Sequence, residues 1–355
     1  MSRPAVVFGG PSDEHDISIL TGLQACHALS EVEAFYWSKS GEWFQVAADA
    51  EAAEFEEGPP RKSRPIQLIP SVGQGFVGRR RIPVSAVLNC CHGGPGEDGT
   101  LQGIFDLAGL RYTGPGQAAS ALGMDKLAFG AAMAALGLPT LPRALVIDGG
   151  GKTLVGPYIV KPRFGGSSIG IEVVEDWETA LALVATSPFY GSGGVAEPYL
   201  AESRDLQVAV RTWPQVELSA IESPIRSGSG IYSYGQKYLA WGGEVGGGRE
   251  LPARISEKVG RVIGELARQV TIAAGLRGVC RIDFLERDGE IWVNEVNTIP
   301  GSMAAYLWID PPISRRDLFG AMIEEALSSP VRRFSVTGAD GTALRHAGSI
   351  QSKLG

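Results

Sequence analysis

One stretch near the C-terminal end, Arg281 to Gly301 (RIDFLERDGEIWVNEVNTIPG), limits what this chain can become. It reads as two short strands, VCRIDFLE and EIWVNEV, around an Arg-Asp-Gly turn. A three-residue hairpin loop suits that turn, with Gly289 in the left-handed position. Side chains two apart share a strand face, so Arg281 and Asp283 point one way, as do Glu295 and Asn297. With this loop Arg281 faces Glu295 across the ladder, and Asp283 becomes a diagonal neighbour of Glu295. A two-residue loop would put the two pairs on opposite faces. In the first register, two carboxylates and an amide oxygen converge beside a guanidinium. Hard oxygen donors of this kind suit Mg²⁺ that is also held by phosphates. A surface hairpin with a cross-strand salt bridge is the plainer alternative, and the hairpin by itself does not separate the two.

The 355 residues exceed one typical core, so two or three domains are expected. Forty-eight glycines fall in clusters, which points to loops where backbone approaches a ligand. The net charge of −7 gives a nucleic-acid role little electrostatic support. Cys26, Cys90, Cys91 and Cys280 show no zinc spacing, and reduced structural thiols are expected. No apolar run is long enough to span a bilayer. Met1 runs almost directly into the buried-strand pattern AVVFGG rather than into a leader. A cytoplasmic protein without a membrane partner is the expectation.

In chain order, strand Ala5–Phe8, a glycine turn and the helical run ISILTGLQACHAL form the first unit of a parallel α/β layer. Glu14-His15-Asp16 opens that helix, where acids favoured by the helix dipole are ordinary. Residues 35–80 read as a peripheral insertion, with a hairpin in FYWSKSGEWFQV followed by a polar loop. VSAVLNCCHGG is a second buried strand, and a helix starts near Gly99-Thr100. Ligands bind at the carboxyl ends of parallel strands, so Glu14 and His92 can share one crevice. Ala118 to Leu136 reads as one helix with Lys126 near its middle, a position usually solvated. Lys161 precedes PRFGGSSIG, whose backbone N–H groups can wrap phosphate oxygens; it is no Walker A motif. Glu197 to Leu200 matches a crossing between two sheets, where backbone groups can meet an adenine edge. Residues 224–253 form a long, Gly-rich, aromatic-bearing segment that suits a lid. Ser256 caps an amphipathic helix leading to the hairpin, and another helix lies near 315–328.

Six motifs, HGGPGEDGTLQG, YTGPGQAASALGMDK, IVKPRFGGSSIG, QKY, RIDF and NEVNTIPG, resemble in residues and order those of the ATP-grasp ligases, and within them the D-alanine–D-alanine ligases. The resemblance runs from residue 9 to about 310. It implies a three-domain ATP-grasp α/β fold: an N-terminal parallel α/β layer plus two α+β domains that sandwich ATP. The expected boundaries are 1–122, 123–197, 198–330 (with the lid at 224–253) and a tail, 331–355, open to disorder.

By the same resemblance, Lys126 and Lys161 contact ATP phosphates, with Gly166, Ser167 and Ser168 in the loop that closes over them. Glu197 and the backbone near Leu200 hold adenine, and Asp205 holds ribose. Asp283, Glu295 and Asn297 bind two Mg²⁺ ions, with Mn²⁺ able to substitute. Glu14 pairs with the ammonium of the first D-alanine, and His92 lies near it. Ser167 and Tyr238 link Glu14 to the lid, and Lys237 faces the second carboxylate. Arg281 and the backbone at Gly301 stabilise the tetrahedral oxyanion. The chain departs from the family where a small hydroxyl residue usually precedes a leucine: GSMAAYLW places Tyr306 before Leu307, with Ser302 as a substitute. The lid lacks an acid common after its first tyrosine, and the ribose acid follows a segment one residue longer than expected. The implied activity is ATP-dependent ligation of two D-alanines for peptidoglycan precursors, and a homodimer is the family expectation. The rivals are a related peptide ligase with another acceptor and a non-catalytic nucleotide-binding module.

Overall fold

The computed structural model describes residues 2–150, 154–225 and 248–353. The chain opens on β1 (Arg3–Gly9), in which Ala5 to Phe8 are fully buried. Alternate side chains leave opposite faces of a strand, so Val6 and Phe8 enter one apolar cluster while Ala5 and Val7 enter another. Helix α1 (His15–Ala28) follows, then β2 (Glu33–Trp37), β3 (Trp43–Val46), β4 (Arg64–Ile69), β5 (Gly75–Val77) and β6 (Val84–Asn89). The six strands lie in the order β5-β4-β3-β2-β1-β6. β1 is parallel to β2 and β6, whereas β2 to β5 run antiparallel. The sheet is therefore mixed rather than parallel throughout, and the stretch expected to be peripheral supplies its outer strands. Fully buried Phe35 and Phe76, 4.5 Å apart between ring centroids, hold that outer part.

After β6 come α2 (Gly94–Glu97), α3 (Thr100–Ala108), α4 (Gln117–Met124) and α5 (Lys126–Ala135). The single helix expected over 118–136 is two, broken at Asp125. That carboxylate accepts the N–H groups of Leu127 and Ala128, both at 3.1 Å, and so caps a new helix. It also takes Arg163 at 2.9 and 2.6 Å. The break puts Lys126 at a helix start, buried rather than solvated.

The second sheet is antiparallel, with β7 (Ala144–Leu145), β8 (Tyr158–Pro162), β9 (Glu172–Val174) and β10 (Gly194–Pro198) in the order β7-β10-β8-β9; α6 (Trp177–Thr186) packs on it. The chain then crosses to the third sheet through 199–203. There β11 (Arg204–Arg211), β12 (Glu217–Leu218), β15 (Val279–Arg287) and β16 (Glu290–Asn297) take the order β12-β11-β15-β16. A short ribbon, β13 (Ser223–Pro224) with β14 (Arg249–Glu250), stands beside it. Helix α7 (Glu257–Ala273) is capped by Ser256 as expected. It lays Val259, Ile263, Leu266, Ala267 and Val270 on the sheet, the i, i+4, i+7, i+8, i+11 face of a helix. Burying each large aliphatic side chain contributes about 1.5–3 kcal/mol.

Helix α8 (Arg315–Ser328) returns to the first sheet, where Leu318, Phe319, Met322 and Ile323 join Val6, Phe8, Ile19 and Leu23 in one cluster. The far end of the chain thus closes the core of its beginning. Beyond it, Arg332 pairs with Asp106 at 3.2 Å, and a short helix, α9 (Thr342–Ala347), follows. All four cysteines are buried thiols. No helix among the described residues is long and apolar enough to cross a membrane.

Candidate active site

The β15–β16 hairpin corrects one expectation and keeps its consequence. Arg287 pairs with Glu290, so the loop is the two residues Asp288 and Gly289, both left-handed at φ 54° and 83°, as a tight hairpin turn requires. That register alone would turn Glu295 away from Asp283. A bulge at Asn294 adds one unpaired residue, since Phe284 pairs with Val293 while Asp283 pairs with Glu295. The extra residue flips the remaining side chains back to the shared face. Asp283 therefore faces Glu295 directly, and Arg281 faces Asn297 rather than Glu295. Arg281 grips Asp283 with two hydrogen bonds of 2.7 and 2.8 Å, and Asn297 donates to the same carboxylate at 3.2 Å.

Between the second and third sheets lies a crevice of about 770 Å³, lined by Lys161, Ser168, Glu197, Leu200, Asp205, Asp283 and Glu295. Lys161 donates to Glu197 at 3.0 Å and to Asn294 Oδ1 at 3.1 Å. Arg143, unnoticed in the sequence, stands 3.0 Å from the other Glu197 oxygen and donates to the carbonyls of Lys126 and Asn294. Burial pushes the Glu197 carboxyl up, but Lys161 and Arg143 outweigh it and hold the group below its ordinary value. The Glu197 side chain is thus the counter-ion of two cations at the crevice wall. Removing one partner of such a buried pair costs about 3–5 kcal/mol.

A second cavity, about 590 Å³, gathers Glu14, His92, Glu97, Lys126, Gly166, Ser167, Arg281, Glu295, Asn297 and Gly301. The helix-opening triplet splits by function here. Asp16 pairs with exposed Lys39 at 3.2 Å and His15 meets the Gly10 carbonyl at 2.6 Å, while Glu14 is buried and accepts the Ser167 hydroxyl. A Cβ on Gly166 would lie 2.8 Å from Glu14 Oε2, and one on Gly93 would lie 2.6 Å from it. Both glycines are therefore there to let backbone approach this carboxylate. Ser167 and Ser168 are themselves left-handed, at φ 54° and 58°.

His92 donates from Nδ1 to the Ile299 carbonyl at 2.7 Å, which fixes its tautomer, and Nε2 takes the Thr21 hydroxyl at 2.7 Å. Burial holds its pKa below the ordinary value, so the ring is neutral. Glu97 accepts the N–H groups of Gly93 at 2.9 Å and Ile299 at 2.8 Å and the Thr298 hydroxyl at 3.2 Å. Burial, reinforced by Glu14, pushes its carboxyl up to about 7. Lys126 donates to the Gly165 carbonyl and lies 3.9 Å from Glu295. Burial, with Lys161 and Arg143 nearby, pulls its pKa below the usual lysine value.

A third cavity, about 1150 Å³, lies across Arg281 and Gly301, with Thr21, Gln24, Gln207, Glu222, Arg249, Ser302, Tyr306 and Arg315 in its lining. Ser302, Met303 and Ala304 take left-handed φ values of 50°, 50° and 48°. Three such residues cost about 1–2 kcal/mol each, and full burial of Met303 and Ala304 in the first core holds them there. The turn presents the Ser302 N–H to Thr21 Oγ1 at 3.1 Å. Tyr306 lines the cavity, whereas Leu307 is fully buried in the core. Lys237 and Tyr238 lie outside the described residues.

All the other expected site residues except Leu307 line one or more of these three cavities, which meet at the bulged hairpin. Arg143 stands outside every motif, whereas Asn294 opens NEVNTIPG and, though not singled out, lay within it. Glu97 stood inside HGGPGEDGTLQG and could have been noticed through that motif. Thr21, Gln207, Glu222 and Arg249 come from four separate segments. Among the described residues no group of three or more His, Cys, Asp or Glu gathers as a metal site. Two carboxylates and an amide fit an ion that takes its remaining oxygens from phosphates.

A crevice between two antiparallel sheets, with buried Lys161 on one wall and the facing carboxylates Asp283 and Glu295 on the other, defines an ATP-grasp enzyme. The D-ala D-ala ligase N-terminus model matches residues 3–115 and the D-ala D-ala ligase C-terminus model residues 148–324, and the chain belongs to the D-alanine–D-alanine ligase family. A D-alanine–D-alanine ligase of Mycolicibacterium smegmatis is 32% identical over 92% of this chain and 96% of its own. One from Mycobacterium bovis is 31% identical over 93% and 96%. Among solved structures, a D-Ala:D-Ser ligase from Enterococcus faecalis superposes with a TM-score of 0.78 at 25% identity, over 92% of this chain and 99% of that one. The D-alanine–D-alanine ligase from Coxiella burnetii, 22% identical over 98% and 97% of the two chains, shares the fold with a TM-score of 0.77.

Proposed function

We propose that this chain joins two D-alanine molecules at the expense of ATP, through a D-alanyl phosphate, and releases D-Ala-D-Ala, ADP and phosphate for peptidoglycan precursors in the cytoplasm. The observation that carries this reading is the meeting of the three cavities at one hairpin, with Arg281 and Gly301 lining both the second and the third. A carboxylate is a poor electrophile because it is anionic and has no good leaving group. In the second cavity, Glu14 would hold the ammonium of the donor, with His92 beside it, and present the carboxylate to the γ-phosphate. Lys126 and Lys161 offset charge on the phosphoryl group as it moves. Asp283, Glu295 and Asn297 would hold two Mg²⁺ ions, or Mn²⁺ in their place, and bound metal supplies further neutralisation of the phosphates. The adenine and ribose would lie along Glu197, Leu200 and Asp205.

The acceptor's amine, after losing a proton, then attacks the acyl carbon from the third cavity. A C–N bond forms, the oxyanion is met by Arg281 and the Gly301 N–H, and phosphate leaves as the C–O bond breaks. Ser167, bonded to Glu14, ties the 164–170 loop over the intermediate, which water would otherwise hydrolyse. Lys237 and Tyr238 would complete the closure from the lid, in a homodimer of the family kind. A second reading, ligation to a different acceptor, is favoured by Tyr306 at the position where the family has a small hydroxyl and by the likeness to a D-Ala:D-Ser ligase.

The test is phosphate release with ATP, Mg²⁺ and a panel of D- and L-amino acids, alone and in pairs, with products weighed by mass spectrometry. D-alanine alone should give the dipeptide. Turnover only with a second, different amine would replace this reading by the second one, and absence of amino-acid-dependent phosphate release would overturn both.

A further inference from the structure

The third cavity holds a set of side chains with no counterpart in the donor pocket. Glu222 is buried on the segment that pairs with Gln207. Its carboxylate lies 3.4 Å from Arg249 Nε, and Tyr306 lines the same cavity. The Arg249 guanidinium in turn sits 4.6 Å from the centroid of the Tyr306 ring. Stacking on an aromatic face and pairing with a carboxylate together fix the plane of a guanidinium. Arg249 is therefore set between the Glu222 carboxylate and the Tyr306 ring.

An acceptor amino acid in this cavity must bring its amine to Arg281 and Gly301, because among the described residues these two line both cavities. Its carboxylate then points into the remaining space and needs a cation, since a desolvated anion without one is costly. Among the described residues, Arg281 is committed to Asp283 through two hydrogen bonds, while Lys237, which the family resemblance sets toward the same carboxylate, lies outside them. The Arg249 side chain keeps 43% of its surface exposed, and one ion pair among the described residues uses a fraction of its five N–H groups. Both guanidiniums line one cavity together with Glu222 and Tyr306.

We propose that Arg249, oriented by Tyr306 and Glu222, receives the carboxylate of the acceptor, and so selects free α-amino acids over their amides. In this chain a guanidinium stacked on Tyr306 takes over from the small hydroxyl that the tyrosine displaces. The inference rests on the proposed ligation, and on Arg249 as a specificity residue within it.

The experiment is a competition between D-alanine and D-alaninamide as acceptors, with ATP and Mg²⁺, reading the ratio of dipeptide to dipeptide amide by mass spectrometry. Wild type should favour the dipeptide. Arg249→Met should shift the ratio toward the amide by about tenfold or more, the scale of a lost charge-assisted bidentate contact. It should raise the acceptor KM with the donor KM held within about twofold. Arg249→Lys should recover only part of the ratio, because a point charge lacks the planar fork. Arg315→Gln, in the same lining, should leave the ratio as in wild type. An unchanged ratio in Arg249→Met, or a shift that follows Arg315 instead, overturns the inference while the ligation stands. Absence of any dipeptide from wild type overturns the ligation, and the inference with it.

Discussion

The cavities proposed for donor and acceptor share Arg281 and Gly301 but are built in opposite ways. In the donor pocket Glu14, His92, Glu97 and Lys126 are all buried, and each is engaged by hydroxyls, backbone groups or opposite charge. In the other cavity Arg249 and Arg315 are exposed, and one buried carboxylate, Glu222, pairs with Arg249. A buried network is stiff because any change leaves a polar group without a partner. On the proposed function, the donor would be selected by that buried wall, and the acceptor in part by two exposed arginines, Arg249 and Arg315, that can change without opening the core. Tyr306, one of the departures from the family pattern, lines the same cavity as those arginines.

The sharpest way to break this contrast is Glu14→Gln. It should lower kcat/KM for the donor roughly a hundredfold or more, the scale of truncating one member of a buried charge pair. Acceptor discrimination should stay as in wild type. Steady-state kinetics that showed both substrates weakened alike would mean that the pockets are not separable.

A smaller effect is expected from Gly166→Ala, whose Cβ would press on Glu14 Oε2 from 2.8 Å. Either the loop or the carboxylate must yield by a few tenths of an ångström. The donor KM should rise about tenfold, with no change in the dipeptide-to-amide ratio. A normal donor KM would show that the loop relaxes freely and that the stiffness is overstated.

The mildest test is pH. Glu97 has a folded pKa of about 7 against 4.5 for the exposed group. The folded state therefore binds the proton more tightly than the unfolded chain does. The stabilisation is full below pH 4.5 and is lost as pH rises through about 7. Measured by thermal unfolding, Glu97→Gln should flatten the fall in Tm across that window, although it loses some stability overall by opposing a backbone N–H. A slope unchanged by the substitution would assign the titration to another group.

The hairpin shows how much a sequence can say and where it stops. Period-two spacing put Arg281 with Asp283 and Glu295 with Asn297, and both pairings hold. Which face the second pair takes depended on a loop count and a bulge. The loop was misjudged by one residue and the bulge at Asn294 restored the outcome, because each shifts the register by one. Asn294 opens NEVNTIPG, but the bulge there has no local signature, since it is settled by how the strand pairs with its neighbour. The break at Asp125 was hidden in the same way: an Ala-rich run looks continuous until Arg163, remote in sequence, supplies the partner that makes the cap worth forming.

What the sequence determined by itself were the local elements and the motifs: buried strands, the capped helix after Ser256, the glycine-rich loops and the six family signatures. These depend on propensity, period and backbone freedom, which act over a few residues. Tertiary structure alone decided that α8 closes the core of the first sheet, that Arg143 and Lys161 share Glu197, and that Glu222, Arg249 and Tyr306 form one set. Each joins segments far apart in the chain, and a contact of that kind exists only once the three sheets have packed and fixed which charged groups must share a buried space.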